Sequence, residues 1–163
     1  MSERRDDDDI DIEEQADAVA DFVEELLTRM DVDAIAEPSE HGGRMYVDIL
    51  DGDEADMALL IGKQGQTLDA IQELARQVVG RRLDERIRVL VDVEDYRKRR
   101  TSQVEETARA AAERALESGQ EQALEPMDAL ERKIAHDAVA GVDGVRTESQ
   151  GEDPDRYVVV FPE

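Results

Sequence analysis

Two places in this chain combine residue types and spacing that could do chemistry. One is a lysine held between two glycines in Ile61-Gly62-Lys63-Gln64-Gly65; the other is Arg132 with His136 four residues later. Both point to the capture of an anion. Two glycines three apart leave a loop with little side-chain bulk, so an outside chain can approach the backbone closely. Lys63 places a positive charge at that point. A helix that follows would aim its free N–H groups and its positive dipole end the same way. In the second place, residues four apart on a helix share a face. Arginine can grip a phosphate through its planar fork, and histidine can donate a hydrogen bond to it. Taken by its spacing alone, such a pair is a solvated helix face.

Composition narrows what the anion could be. The chain has 163 residues, enough for one ordinary domain or two small ones, and no cysteine, which excludes disulfides and a zinc knuckle. No run approaches the length of a membrane helix, and the start, Met1 to Asp6, has no apolar segment of a secretory signal. A soluble cytoplasmic protein without membrane insertion is expected. The net charge of −23 disfavours generic nucleic-acid binding. It is unevenly spread: −17 over residues 1–60, +2 over 61–114 and −8 over 115–163. Only the middle third, which opens at the glycine loop, could welcome a polyanion. The aromatics are few, Phe22, Tyr46, Tyr96, Tyr157 and Phe161, so an aromatic base-stacking platform is not expected.

Catalysis finds little footing. Gly62-Lys63 is followed by Gln64 and not by Ser or Thr, so the loop is no Walker A sequence. There is no cysteine nucleophile, no evident Ser–His pairing, and only His41 and His136 for acid–base work. No enzyme, metal or cofactor is expected.

The elements that must position these residues follow from periodicity. Residues 1–12 read as a disordered acidic tail, with Asp6-Asp7-Asp8-Asp9 and Asp11. Helical spacing runs from Glu13 to Met30. Strands are expected at 33–37 and 44–50 around a His41-Gly42-Gly43 turn, then a short helix 54–60, the glycine loop, and a helix from Gln66 to Val79 that stops at Gly80. Alternation over Arg86–Val93 predicts a strand with Ile87, Val89, Val91 and Val93 buried. A basic run, Arg97-Lys98-Arg99-Arg100, opens a long helix to about Glu117. Cations at a helix N-terminus oppose the dipole, a conflict that a nearby phosphate backbone would remove. A short strand near 120–124, a helix opened by Pro126 and closed by Gly141, and strands at 145–149 and 156–161 complete the chain.

A GXXG loop joining two helices, within the order helix, strand, strand, helix, helix, strand, resembles the KH domain in its prokaryotic, type II arrangement, over about residues 13–94. The run from Pro126 to His136, with Arg132 and His136 spaced as RxxxH, closely resembles the R-three-H domain, as does the later Val145-Arg146-Thr147 stretch with Ser149, Gly151, Pro154 and Arg156. That likeness covers about residues 96–162. The chain is identified by these motifs as a member of the Jag family, also called KhpB. The resemblance implies an α+β fold: a type II KH domain, three strands with helices on one face, over 13–94, and a small R-three-H α/β domain over 95–163. It implies a single-stranded RNA-binding protein, an RNA chaperone or post-transcriptional regulator working with a small partner, KhpA, and linked to cell elongation and cell-wall homeostasis. Many members carry an N-terminal Jag domain and a linker where this sequence has its acidic tail.

The expected RNA sites follow. Gly62, Lys63, Gln64 and Gly65 would clamp about four nucleotides of backbone. Leu60, Ile61, Leu68 and Ile71 would form one wall of an aliphatic groove, with Leu68 and Ile71 read equally as core, and Arg86 and Arg88 would help hold the strand. Arg132 and His136, exposed near the sheet, would hold a phosphate with Lys133, Thr147 and Ser149 as neighbours. Arg97, Lys98, Arg99 and Arg100 would join the sites into one track. Single-stranded DNA in place of RNA, a protein-interaction adaptor, and a homo-oligomer are alternatives left open.

Overall fold

The computed structural model describes residues 10–163 and divides into two units, residues 1–96 and 97–163. The Asp6–Asp9 part of the expected tail lies outside the described residues. The first helix, α1, spans Ile12–Arg29, and Asp11 caps it by accepting from Glu13 N. Its buried face is Ala16, Val19, Ala20, Val23 and Leu27.

Strands β1 (Ile35–His41) and β2 (Arg44–Leu50) pair antiparallel across a two-residue Gly42–Gly43 turn, both glycines at positive φ. That is the turn whose twist suits a tight hairpin. The first strand starts and ends later than the sequence suggests, because pairing with β2 carries it through to His41. Helix α2 (Glu54–Ile61) is capped by Asp53. After one tight turn at Lys63–Gly65, helix α3 spans Gln66–Leu83.

Gly80 does not end α3 as expected; the helix runs on through Arg81 and Arg82 and closes on Asp84 in the left-handed conformation. A side chain at Gly80 would meet the Glu85 carbonyl at 3.0 Å, so the glycine serves the returning chain. Strand β3 is only Leu90–Val93, parallel to β2, giving the order β1-β2-β3. Residues 86–89, expected as strand, are outside the ladder. Their backbone is met instead by two glutamines: Gln15 accepts from Arg88 N at 3.1 Å, and Gln72 donates to Val89 O at 3.0 Å and accepts from Val91 N at 2.7 Å. The expected alternation survives, with Ile87, Val89, Val91 and Val93 all in the core formed with α1, α2 and α3. The first unit is therefore α-β-β-α-α-β, as the type II KH resemblance implies.

Helix α4 (Tyr96–Ser118) starts on Tyr96, the last residue of the first unit, and the rest of it belongs to the second; its thin apolar side, Val104, Ala108, Ala111, Ala112 and Ala115, is buried while Leu116 is exposed. Strands β4 (Gln122–Ala123), β5 (Val145–Gln150) and β6 (Tyr157–Pro162) form an antiparallel sheet in the order β4-β6-β5. Helix α5 spans Ala129–Val139. Pro126 does not open it: Asp128 caps it by accepting from Glu131 N at 2.8 Å, and Pro126 lies in the preceding loop. Val158 and Val160 of β6 pack against α4 and α5 to make this unit's own core.

Candidate functional site

The glycine loop has an exposed tip on an internally braced base. Lys63 and Gln64 are exposed, whereas Gly65 is buried. Gly62 sits at φ 70°, ψ −176°, a region open essentially to glycine alone. A Cβ added there would clash with Thr67, whose backbone nitrogen would lie at 2.9 Å. A Cβ at Gly65, φ 77°, would meet the Tyr96 ring at 3.0 Å. The expectation that both glycines are bare for an incoming strand is thus corrected. Their inward faces are taken by Thr67 and Tyr96, and what remains open is the tip. Gln64, at φ 55°, completes a sharp bend that presents both side chains outward. Helix α3 begins directly after, so its first-turn N–H groups lie behind the tip.

The groove residues divide. Leu60 and Leu68 are fully buried and Ile71 nearly so, which makes them core, packed between the helices and the sheet. Only Ile61 is half-buried at the loop. The exposed leucine beside the loop is Leu59, 61% accessible, which the helical spacing did not single out because it falls off the buried stripe. Arg86 and Arg88 are exposed, on the segment that Gln15 and Gln72 hold. Asp92, which alternates with the valines of β3, is fully buried as they are. Opposite it in the register is Asp48, and with Asp95 their carboxylates lie within 4.8 Å of one another. Ser39 Oγ donates to Asp48. A cluster of acids is not a metal site by itself.

In the second unit the structure does bring Arg132, His136, Thr147 and Ser149 together, with Arg132 buried where exposure was expected and the other three half-buried. Arg132 is only 7% accessible, and its Nη1 donates to Met127 O at 2.8 Å and to Asp153 Oδ1 at 2.9 Å. The His136 ring nitrogens sit 2.6 Å from Thr147 Oγ1 and 2.8 Å from Ser149 Oγ. Lys133, between them in sequence, is exposed. In the basic run Arg99 is exposed and Arg97, Lys98 and Arg100 are half-buried; Arg100 Nε donates to Glu131 Oε1 at 2.8 Å, tying α4 to α5.

Comparison with known proteins agrees with this two-part layout. Residues 16–91 match the family described as KhpA/KhpB, KH domain, and residues 102–162 match the R-three-H domain family. The RNA-binding protein KhpB of Clostridium symbiosum is 39% identical over 146 residues, covering 88% of this chain and 64% of that protein. The protein of the same name from Streptococcus pneumoniae serotype 2 is 33% identical over 153 residues, 94% of this chain and 46% of its own length. That from Bacillus subtilis is 38% identical over 105 residues, 63% of this chain and 50% of the relative. The chain belongs to the KhpB family. It spans about half the length of these KhpB relatives, up to 64% of one. In the KhpB layout the glycine loop falls in the KH part and the RxxxH pair in the R-three-H part. No described helix is long and apolar enough to cross a membrane.

Proposed function

We propose that this chain binds single-stranded RNA, with the Lys63–Gln64 tip as the primary contact. The observation that carries this reading is the tip itself. A cation and an amide stand exposed at a fixed bend, directly before the N-terminus of α3 and on a base braced by Thr67 and Tyr96. Such a tip can seat a sugar–phosphate segment, with phosphate oxygens on Lys63 and on first-turn N–H groups. Ile61 and the exposed Leu59 offer aliphatic contact to bases alongside. The relatives' shared name, RNA-binding protein KhpB, supports RNA over DNA as the ligand. No catalytic step is ascribed to the site.

Replacing Lys63 and Gln64 together by Asp tests the proposal. Both are exposed loop positions, so the fold should hold while crosslinking to a single-stranded RNA is lost. Retained crosslinking at the loop in the folded variant would reject the clamp, and equal binding of DNA and RNA oligomers of one sequence would remove the preference for RNA. Retained binding of a protein partner alone, unaffected by this change, would favour an adaptor. Pairing with KhpA, or with a second copy, and a role in RNA chaperoning, cell elongation and the cell wall belong to this proposal on family membership alone. Co-purification with KhpA from cells carrying the wild-type chain tests the first of these.

A further inference from the structure

We infer that the first unit carries a second contact for the RNA strand, formed by Arg81, Arg82, Arg86 and Arg88 at the end of α3 far from the glycine loop. This rests on the reading that the Lys63–Gln64 tip seats single-stranded RNA, and it extends the strand's path beyond the tip.

Cations are scarce in this unit, and half of them stand together. Residues 10–96 hold eight Lys and Arg side chains, four of them within residues 81–88, a stretch of net charge +2 in a chain of −23. All four arginines are exposed. Elsewhere in the unit Arg29 pairs with Glu25 and Arg76 with Glu73. Among the described residues no hydrogen bond or ion pair engages the guanidinium groups of the four, although Asp84 and Glu85 lie between them in sequence. Arg81 and Arg82 suit the negative end of α3. That accounts for two of the four and not for Arg86 and Arg88.

The fold fixes where this second pair stands. Helix α3 closes on Asp84 and the chain doubles back, with Glu85 N donating to Gly80 O at 3.1 Å. In the stretch that follows, Ile87 and Val89 are in the core, so Arg86 and Arg88 project from the opposite side. Their backbone is clamped by a side chain that is itself buried. Gln15, 1% accessible, accepts from Arg88 N at 3.1 Å and donates to Arg86 O at 3.4 Å. Two guanidinium groups thus leave a held backbone side by side, next to the last turn of α3.

Such groups, meeting no protein acceptor, are suited to phosphate oxygens. The 18 residues of α3 put the patch about 27 Å from the tip. Strand β3 runs back over the same distance, from the patch to the loop where Tyr96 stands against Gly65. A strand seated at the tip is kept near the patch, at a local concentration that a free acidic protein lacks. An acidic protein would meet the repulsion of the whole chain without that tether. RNA is therefore the occupant the arrangement favours. A short oligomer fills the tip alone, and a long one reaches both places.

Binding of labelled uridine oligomers of about four and about fifteen nucleotides to the full chain decides this. Arg86→Gln with Arg88→Gln keeps the backbone bonds to Gln15 and removes two charges. As control, Arg29→Gln with Arg109→Gln removes the same charge from paired positions. A second contact predicts that the first variant binds the long oligomer about fivefold or more weaker than the control does, with a slope of log affinity on log salt flatter by about 1.4. The short oligomer should separate the two variants by less than about twofold. Thiouridine crosslinks from the long oligomer should fall on residues 81–88. Equal loss on both lengths, or no difference from the control on the long one, overturns the inference and leaves the tip reading standing. So does an oligoglutamate peptide that binds through these arginines while affinity for the long oligomer stays at the control value. If the first variant unfolds early, Arg81→Gln with Arg82→Gln repeats the comparison without touching the clamped stretch. A wild-type chain that binds neither oligomer rejects the tip reading and this inference together.

Discussion

At the scale of single residues, the glycine loop separates two jobs that its sequence merges. Gly62 and Gly65 hold a backbone shape and leave room for Thr67 and Tyr96; Lys63 and Gln64 face water. Substitutions should therefore sort cleanly. Gly65→Ala must place a methyl at positive φ and 3.0 Å from the Tyr96 ring, and should cost about 1–3 kcal/mol of stability. Lys63→Ala should change stability by less than about 0.5 kcal/mol while weakening RNA binding. Urea unfolding beside a binding isotherm checks both, and equal stability of Gly65→Ala and wild type would refute the bracing role of Tyr96. Lys63 as the charged point of the loop was legible from the sequence, because exposure of a lysine between glycines needs no partner. The wall behind Gly65 was not, because Tyr96 is thirty-one residues away and only folding brings it there.

At the scale of elements, periodicity located nearly every helix and strand, since burial on one face imposes its repeat on the sequence. Its failures have a common cause. The chain over 86–89 alternates like a strand and buries Ile87 and Val89, yet its polar backbone groups bond to glutamine side chains and not to a neighbouring strand. Gln72 is itself buried, so Gln72→Leu would keep the shape and remove its bonds to the Val89 carbonyl and from the Val91 N–H. That should cost about 2–4 kcal/mol, read as a drop in the denaturant midpoint of the first unit. Gln15→Leu should cost less, because its partners at Arg86 and Arg88 stand at an exposed stretch where water can substitute. Equal losses for the two variants would count against this account. Alternation reports which side chains are covered; it carries no information on what the backbone between them bonds to.

At the scale of the whole molecule, charge governs the proposed activity. With a net charge of −23, the chain repels a polyanion everywhere except where cations are gathered, so RNA binding should depend on a few local contacts. Neutralising about three to five phosphates on a single strand would give a slope of log affinity on log salt of roughly −2 to −3.5. A titration series at several salt concentrations measures it, and a slope near zero would exclude phosphate clamping. The two units each have their own apolar core, one built on α1, α2, α3 and the first sheet, the other on α4, α5 and the second.

By itself the sequence determined the order of elements, the two-part organisation and the identity of the two motifs, because these follow from local hydrophobic repeats and from residue spacing along one chain. The tertiary structure alone decided which partners the motif residues meet and how deeply each is covered. Arg132 and His136 share a helix face by their spacing, but that the first meets Asp153 and the second Thr147 and Ser149 was settled by folding. A polar side chain's partner is whatever the fold brings within hydrogen-bonding distance, and that is a property of three-dimensional packing that spacing along the chain does not contain.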